Sequence, residues 1–372
     1  MKIHEIATPA ILLDLDVLER NIKSHQAAIG HDKQLWPMIK THKSTEIARM
    51  QLENGATGFL CGTLDECEAL AQEFDVPIMY AYPVASEPSI FRVVELAKCC
   101  NFYIRLDSAR QAELLNKAAA LKHVQINYTI IINSGLDRFG VLPRELENLM
   151  EEIREYENLN FCGISTHPGH AYAVEDANGV KPVARQESEI MQSATEILHS
   201  IGLVPKMVTT GSTPTFFHVA QDKNIGIFHP GNYVFMDNMQ VALGSAMVQD
   251  CALTVLATVI SNPREGEYVI DAGTKCLGLD KGAHGTGKIT DHGRIVNYEG
   301  EFSLYSLSEE VGKVRAVSGS LQIGDKLQII PNHACATANN TSFYYGHRNG
   351  VFERFVPVDM RGNTKGGSMY GN

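Results

Sequence analysis

Eight short apolar segments recur along the chain, and most are followed by a segment with helical periodicity. Their spacing of about 20 to 30 residues is typical of strands that alternate with helices. Eight parallel strands with intervening helices predict a closed (β/α)8 TIM barrel of the α/β class. The predicted strands are LWPMIK (35–40), TGFLCG (57–62), PIMYAY (77–82), NFYIRL (101–106), QINYTIII (125–132), FCGISTH (161–167), KMVTTG (206–211) and GIFHPG (226–231).

The pattern changes after residue 245, where β-type segments follow one another across glycine-rich turns without a long helical segment. Such a series is typical of an antiparallel β domain. We therefore predict a barrel over 10–245 and a C-terminal β domain over 246–372 that also includes 1–9. A chain of 372 residues with 44% hydrophobic content is long enough for two such units.

The acidic composition narrows the range of partners. With a net charge of −11, one tryptophan and no run of Lys and Arg, the chain lacks the features of a nucleic-acid-binding surface. No apolar run approaches the roughly 18 residues of a membrane span, and MKIHEIATPA lacks the apolar core of a signal peptide. The eight cysteines are irregularly spaced, and in a chain without a secretion signal this favours reduced thiols over a disulfide framework. We expect a cytoplasmic protein whose partner is a small molecule.

Lys40 ends the first apolar run and is the first candidate for covalent chemistry. Its apolar neighbours Leu35, Trp36, Met38 and Ile39 would disfavour the ammonium form and so lower its pKa. A partly neutral lysine can form a Schiff base with an aldehyde cofactor or a carbonyl substrate. The alternative is a lysine that caps the strand and extends its charge into water.

The other candidates come from the strand ends, because the active sites of such barrels lie at the carboxyl ends of their strands. The fifth strand leads into GLDRFG (135–140), and the sixth ends in Thr166 and His167. The loops after strands seven and eight commonly bind phosphate through backbone N–H groups of small residues. Either loop alone could equally be an ordinary turn. The candidates there are Gly211, Ser212, Thr213, Gly231 and Asn232.

A possible metal site lies in the predicted β domain, at KLQIIPNHAC. His333 and Cys335 are two positions apart, so they would project from the same face if the strand continues. Imidazole together with thiolate suits zinc, and two protein ligands would leave coordination positions open for catalysis. The pair alone is a weak signal, and two ordinary structural side chains are the alternative.

Taken in order and spacing, several of these segments resemble one known family over nearly the whole chain. It is the family of D-serine dehydratases and D-threonine aldolases, which are fold-type III pyridoxal-phosphate enzymes related to alanine racemase. The matching segments are TPAILLDLDVLERNI, PMIKTHKS, GLDRFGV, THPGHAY, TTGSTP, HPGNYVFMD, IDAGTKCLGLD, SEEVGKV and PNHACAT.

The resemblance implies roles for particular residues. Lys40 would bind pyridoxal 5′-phosphate covalently, Arg138 would lie near its phenolic oxygen, and Tyr172 would belong to the pocket around its ring. His333 and Cys335 would bind Zn2+ or another divalent metal such as Mn2+. The full predicted cofactor-binding set is Lys40, Arg138, His167, Tyr172, Gly211, Ser212, Thr213, Gly231, Asn232 and Tyr233.

The family implies a lyase that acts on 3-hydroxy-D-amino acids. Cys335 favours the D-serine dehydratase branch, because the aldolases place an acidic residue at that position. In that branch, loss of the Cα proton and metal-assisted loss of the β-hydroxyl give a keto acid and ammonia. The alternatives are retro-aldol cleavage to glycine and an aldehyde, racemisation, and a non-catalytic carrier of pyridoxal phosphate. The resemblance also implies a homodimer, with the β domain of one subunit over the barrel mouth of the other.

The chain departs from the family pattern at a few positions. Trp36 and Met38 stand where the family reads Arg and His before the lysine, and Val311 stands where it reads His. Asn363 replaces a usual Trp. Because of these departures, the resemblance does not predict which side chain the substrate carries.

Overall fold

The computed structural model of the protein describes residues 1–281, 289–298 and 300–362. Its strands are β1 (Ala10–Asp14), β2 (Gln34–Leu35), β3 (Phe59–Cys61), β4 (Ile78–Tyr80), β5 (Phe102–Leu106), β6 (Ile126–Ile131), β7 (Leu159–Ser165), β8 (Met207–Thr210), β9 (Ile227–Phe228), β10 (Leu253–Arg264), β11 (Glu267–Ile270), β12 (Gly293–Ile295), β13 (Phe302–Leu307), β14 (Gly312–Ala316), β15 (Lys326–Pro331), β16 (Phe343–Arg348) and β17 (Val351–Pro357).

Its α-helices are α1 (Leu15–Ile29), α2 (Thr45–Glu53), α3 (Leu64–Glu73), α4 (Glu87–Cys99), α5 (Ala109–Lys122), α6 (Pro143–Ile153), α7 (Ala177–Ser200), α8 (Phe216–Val219), α9 (Asn238–Ala242), α10 (Thr274–Leu277) and α11 (Ala334–Ala338). Short 3-10 turns cover Ile3–Glu5, Ile39–Thr41, Gly169–Ala173, Asn232–Val234 and Val248–Asp250.

Strands β2 to β9 form a parallel sheet in the order β2-β9-β8-β7-β6-β5-β4-β3. Its two end strands meet through a parallel bridge between Met38 and Leu60, where the Leu60 N–H donates to the Pro37 carbonyl at 2.9 Å. The sheet therefore closes into a barrel. Each of the eight predicted segments contributes a strand to this sheet, although β2 and β9 are much shorter than predicted, and the predicted fold class is confirmed.

Polar caps start several helices directly after the strands. The side chains of Ser44, Thr63 and Ser108 accept hydrogen bonds from first-turn N–H groups of α2, α3 and α5. Because each cap satisfies a donor that the helix leaves free, the chain can turn from strand into helix within a short loop. These loops gather the carboxyl ends of the strands at one rim of the barrel.

The first barrel strand is shorter than the sequence predicts. LWPMIK predicts a strand over 35–40, but β2 ends at Leu35 and Lys40 lies on the 3-10 turn Ile39–Thr41. Pro37 has no N–H to donate, so one ladder hydrogen bond is missing there, and beyond it only isolated bonds remain, such as that from the Met38 N–H to the Pro230 carbonyl at 3.0 Å. Lys40 is thus carried by a turn at the rim of the barrel.

The remaining nine strands form a second sheet with the main order β13-β14-β11-β10-β1-β16-β17, in which β15 pairs with β10 and β12. Its pairings are antiparallel except for β1 with β16. β1 lies within the range predicted for the barrel, yet it pairs with β10 and β16 of this sheet. The exact domain boundaries remain a prediction.

The interior of the barrel is filled below its rim by apolar side chains. This inner cluster consists of Trp36, Met38, Leu60, Met79, Ala81, Cys162, Met207 and Ile227. A much larger cluster packs the helices against the outside of the barrel and extends into the second sheet. Within the described parts of the chain, no helix is both long enough and apolar enough to cross a membrane.

Candidate active site

A cavity of about 640 Å3 opens at the carboxyl ends of the barrel strands. It brings together every predicted site residue except Tyr233. The predicted residues that line it are Lys40, Arg138, His167, Tyr172, Gly211, Ser212, Thr213, Gly231, Asn232, His333 and Cys335. Tyr233 is fully buried in the core, where its hydroxyl accepts a hydrogen bond from Gln51 at 3.0 Å. Its side chain is therefore not placed to contact a ligand in the cavity.

Lys40 extends from its turn into the cavity beside Tyr82. Its Nζ donates to the Tyr82 hydroxyl at 3.3 Å. Gly62, just past the end of β3, leaves room for the lysine stem, because a Cβ there would stand 2.8 Å from the Lys40 Cβ. The stem is therefore confined on one side by backbone, while the amine faces the cavity.

Arg138 and Tyr172 lie on loops that reach the same cavity. The Arg138 guanidinium stands over the Tyr82 ring at 5.7 Å and over the Phe139 ring at 5.3 Å. Tyr172 lies on the turn Gly169–Ala173, and burial raises the pKa of its hydroxyl above the ordinary value. The Tyr172 phenol therefore stays protonated at neutral pH.

Two loops of small residues form a concave polar wall. A Cβ on Gly211 would stand 2.4 Å from the His229 carbonyl oxygen, and one on Gly231 would stand 2.8 Å from the Thr41 Oγ1. Among the described residues, the buried Ser212 Oγ and Asn232 Oδ1 have no hydrogen-bond partner. Buried polar groups are normally paired, so this wall fits a polar ligand group such as a phosphate.

Gly211→Ala is expected to weaken binding of the predicted cofactor, pyridoxal phosphate, at least about tenfold and to cost about 1–3 kcal/mol of unfolding free energy, because its Cβ would overlap backbone. Fluorescence titration with the cofactor and thermal denaturation would measure the two effects. Gly226→Ala is the matched control, since a Cβ there meets nothing within 4 Å. Equal behaviour of the two variants would contradict the packing role of Gly211.

Two neutral histidines line the base of the cavity. His167 Nδ1 donates to the Gly211 carbonyl, and burial together with the Lys40 and Arg138 charges lowers its pKa to about 3. His229 Nδ1 donates to the Trp36 carbonyl at 2.8 Å, and burial and the Arg105 charge hold its pKa well below the ordinary value. A carbonyl can only accept, so in both neutral rings Nε2 is left as an acceptor.

Tyr82, Arg105 and His229 line the cavity although they were not among the predicted site residues. Arg105 is buried, with contacts from Nε to Met79 Sδ at 3.2 Å and from Nη2 to Thr209 Oγ1 at 3.4 Å. Burial lowers its pKa to about 9. The signal was present, because a charged residue inside the apolar strand NFYIRL is rarely buried without a purpose.

The His333 and Cys335 pair reaches the cavity from the second sheet. The sequence predicts that both project from a continuing strand, but β15 ends at Pro331 and the two residues begin α11. His333 Nδ1 donates to Asp280 Oδ2 at 2.8 Å, and the Cys335 Sγ lies 3.4 Å from the Thr41 Oγ1. The two side chains therefore meet because the chain turns tightly into α11, and not because they alternate along a strand.

The electrostatics of this pair favour its charged form. Burial opposes the imidazolium, but the Cys335 and Asp280 charges outweigh burial and raise the pKa of His333 well above its ordinary value. Burial also opposes the thiolate, but His333 outweighs it and lowers the pKa of Cys335. A metal would have to displace the Nε2 proton of His333, and the thiolate and neutral imidazole that result suit a borderline-soft cation. Among the described residues there is no group of three or more acidic, His or Cys side chains that could hold a metal.

Of the family departures that lie in the described residues, one lines the cavity. Met38 does so, together with Leu60 and Ala81. Trp36 instead lies in the inner cluster, where its Nε1 donates to Gln34 Oε1 at 2.9 Å. Val311 is not among the lining residues, and Asn363 lies outside the described residues. The chemical difference from the family pattern in the described cavity is therefore concentrated at Met38.

Two family models match the chain. One, described as alanine racemase, N-terminal domain, matches residues 13–239, and the other, described as putative serine dehydratase domain, matches residues 252–347. The first covers most of the barrel, and the second covers most of the second sheet and includes the His333 and Cys335 pair.

Several known proteins are similar over nearly their full length. The D-serine dehydratase of Dictyostelium discoideum is 28% identical, over 95% of this chain and 97% of its own. The 3-hydroxy-D-aspartate aldolase of Paracoccus denitrificans (strain Pd 1222) is 29% identical, over 96% of this chain and 93% of its own. The structure of D-threo-3-hydroxyaspartate dehydratase from Delftia sp. HT23 has a TM-score of 0.87 at 26% identity, covering 96% of this chain and 98% of its own. A cysteine-to-alanine mutant of a D-threo-3-hydroxyaspartate dehydratase was solved in a metal-free form, with a TM-score of 0.86 at 26% identity and coverage of 96% of this chain and 99% of its own.

Proposed function

The chain belongs to the family described as alanine racemase, N-terminal domain, and from that membership we propose a pyridoxal-phosphate-dependent lyase of the D-serine dehydratase type. Its substrate is a 3-hydroxy-D-amino acid. The observation that carries the proposal is a single cavity lined by Lys40, by both small-residue loops and by the His333 and Cys335 pair. Relatives named as a D-serine dehydratase and a 3-hydroxy-D-aspartate aldolase support the same class.

The residues of the cavity suit the parts of the cofactor. Lys40 would hold its aldehyde carbon, and the wall of Gly211, Ser212, Gly231 and Asn232 would hold its phosphate. Arg138 would lie near the phenolic oxygen, while His167 and Tyr172 would border the ring. Thr213 adds a further polar side chain to this wall, whereas Tyr233 does not line the cavity. When bound, pyridoxal phosphate supplies an electron sink for the charge left on the substrate Cα.

The chain's own groups move the protons. Once the substrate is bound, the free Lys40 amine would accept its Cα proton. The Tyr82 hydroxyl, 3.3 Å from Nζ, fixes the direction of that amine. The β-hydroxyl would leave as water by taking up the proton that Lys40 accepted, and hydrolysis of the released enamine would give a keto acid and ammonia. His333 and Cys335 would hold a divalent metal, zinc or manganese, which supplies a Lewis acid for the leaving hydroxyl.

Retro-aldol cleavage is the second candidate function. It needs a base for the hydroxyl proton before the Cα–Cβ bond breaks, and neutral His167 faces the cavity as a possible acceptor. The relative named 3-hydroxy-D-aspartate aldolase supports this alternative. Cys335, at a position where the aldolases have an acidic residue, favours the dehydratase.

The deciding experiment incubates the purified protein with D-serine, D-threonine or 3-hydroxy-D-aspartate, with and without a chelator. Keto acid and ammonia that disappear on chelation support the dehydratase. Aldehyde and glycine support the aldolase. Racemisation of an unhydroxylated amino acid that is insensitive to chelator would refute the metal-dependent lyase, and binding of pyridoxal phosphate without turnover of any substrate would indicate a carrier.

Asp280→Asn is expected to weaken metal binding about 10- to 100-fold, because its carboxylate orients the His333 ring at 2.8 Å. Equilibrium dialysis against zinc and manganese, followed by metal analysis, would measure the change. Asp291→Asn is the control, since the Asp291 carboxylate bonds to Ser303 and does not line the cavity. If both variants retain the metal affinity of the unmodified protein, Asp280 does not support the site.

We also propose a homodimer, on the basis of the family resemblance. An exposed aromatic pair on the edge of the second sheet supports an association surface there, with the Phe343 and Phe355 ring centroids 4.9 Å apart. Large exposed apolar patches mark interaction sites in many proteins. Light scattering after size-exclusion chromatography should give twice the chain mass of 40.9 kDa. A mass equal to one chain would contradict the dimer.

A further inference from the structure

A fully buried ion pair lies three residues beyond Lys40 and has no role in the chemistry described above. The Lys43 Nζ contacts the Glu66 Oε1, and the two side chains are only 3% and 0% exposed. Removing one member of such a pair leaves an uncompensated charge in the interior, so the two residues depend strongly on each other. Lys43 follows the turn Ile39–Thr41, whereas Glu66 lies in the first turn of α3.

The second carboxylate oxygen of Glu66 connects the pair to the other side of the Lys40 stem. Glu66 Oε2 accepts a hydrogen bond from the Gly62 N–H at 2.6 Å. Gly62 is the residue whose missing side chain leaves space for the Lys40 stem. One carboxylate therefore holds both the segment that carries Lys40 and the segment against which Lys40 packs.

The backbone of Lys43 adds a second, independent observation. Its φ is 48°, a left-handed conformation that is unfavourable for a residue with a long side chain. The Lys43 N–H donates to the Ile39 carbonyl at 2.9 Å, and its carbonyl accepts from the Met360 N–H at 3.0 Å. Such a conformation persists only where the surroundings hold it, and the buried contact with Glu66 fixes the side-chain end of the residue.

We propose that the Lys43–Glu66 pair positions Lys40 for reaction with the cofactor. The pair holds the turn that carries Lys40 against Gly62, and so sets where the amine stands in the cavity. Both are positioning residues, since neither lines the cavity. The inference rests on the proposed function, because it concerns the covalent role of Lys40. The alternative is an ion pair that contributes to stability alone.

The test measures how fast Lys40 captures the cofactor. Cofactor-free protein is mixed with pyridoxal 5′-phosphate, borohydride traps the adduct at successive times, and mass spectrometry quantifies the modified Lys40 peptide. Lys43→Met is expected to slow capture about 100-fold, the size of effect that a displacement of about 1 Å has on reacting groups. Glu66→Gln, which keeps an acceptor for the Gly62 N–H but loses the charge, should show a smaller loss.

Arg92→Met is the matched control. Arg92 bonds to Glu68 at 2.6 Å and to Asp65 at 2.9 Å, so the variant also breaks ion pairs on α3, but away from the Lys40 turn. It should lower the midpoint of thermal denaturation while leaving the capture rate unchanged. If Lys43→Met also captures cofactor at the unmodified rate, the pair is only structural and the proposal is overturned.

Two further outcomes separate this inference from the proposed function. If the unmodified protein forms no adduct at Lys40, the proposed function itself fails, and the positioning role fails with it. If Lys43→Met does not fold, Glu66→Asp replaces it, since this variant keeps both charges and shortens the reach of the carboxylate by one methylene. Slowed capture by folded Glu66→Asp supports the positioning role, whereas an unchanged rate refutes it.

Discussion

Lys40→Ala is expected to lower turnover of a 3-hydroxy-D-amino acid by at least about 10³-fold, because it removes both the covalent anchor and the proposed base. The visible absorbance of the bound cofactor should shift to that of free pyridoxal phosphate. Borohydride treatment should then yield no modified peptide that contains residue 40. Turnover assays, absorbance spectra and peptide mass spectrometry measure the three effects.

The control for this variant is Lys23→Ala, since Lys23 is an exposed lysine of α1 with 63% of its side chain accessible. Lys23→Ala should retain the turnover rate and the visible absorbance spectrum of the unmodified protein. If the cofactor is still attached covalently in Lys40→Ala without added amine, another lysine must be the one that binds it. An added small amine that restores part of the Cα proton transfer would instead identify the Lys40 amine as the base.

Cys335→Ala is expected to remove the metal and to lower β-elimination on the order of 10³-fold, which corresponds to the several kcal/mol that a Lewis acid contributes to such a transition state. The residual activity should no longer respond to a chelator, because no metal remains to be removed. Metal analysis of the dialysed protein, together with the keto acid assay, would test both parts of the prediction.

Cys276→Ala is the control, since this half-buried thiol does not line the cavity. Cys335→Asp offers a sharper comparison, because it restores an anionic ligand of the acidic type that the family resemblance implies for the aldolases. We expect it to bind metal again and to increase the ratio of aldehyde to keto acid. Full dehydratase activity in Cys335→Ala would refute a role for the pair in metal-assisted elimination.

The barrel could be predicted because its signal is repeated along the chain. Each of the eight strands follows the same local rule, so an error of a few residues in one, such as LWPMIK, leaves the count intact. The cavity wall that contains Gly211 and Gly231 could be located for a related reason, because both residues lie at fixed strand ends of such a barrel; phosphate binding by this wall stays a prediction. The placement of Lys40 on a turn depended on Pro37 and on how the residues around Pro37 pair with β3 and β9. No local pattern specifies that pairing.

Other features depended on contacts between distant parts of the chain. The spacing of His333 and Cys335 was informative, but the structure brings them together through the start of a helix and not through a strand. Arg105 carried a signal in the sequence, a charge inside an apolar strand, but its burial beside the cavity, like that of His229, is set by the closed barrel as a whole. The orientation of Tyr233 into the core is likewise decided by tertiary packing against Gln51.

The position of β1 has a consequence for the order in which this protein matures during synthesis. β1 pairs with β10 and β16, so the earliest strand to leave the ribosome has both of its neighbours among much later residues. A nascent barrel can form while β1 still lacks these partners, but the Lys43 carbonyl cannot receive its Met360 donor until almost the whole chain has emerged. Cofactor capture should therefore be a late event in biosynthesis, and ribosome-bound chains that stop before β16 should fold a barrel without acquiring a fully constrained Lys40.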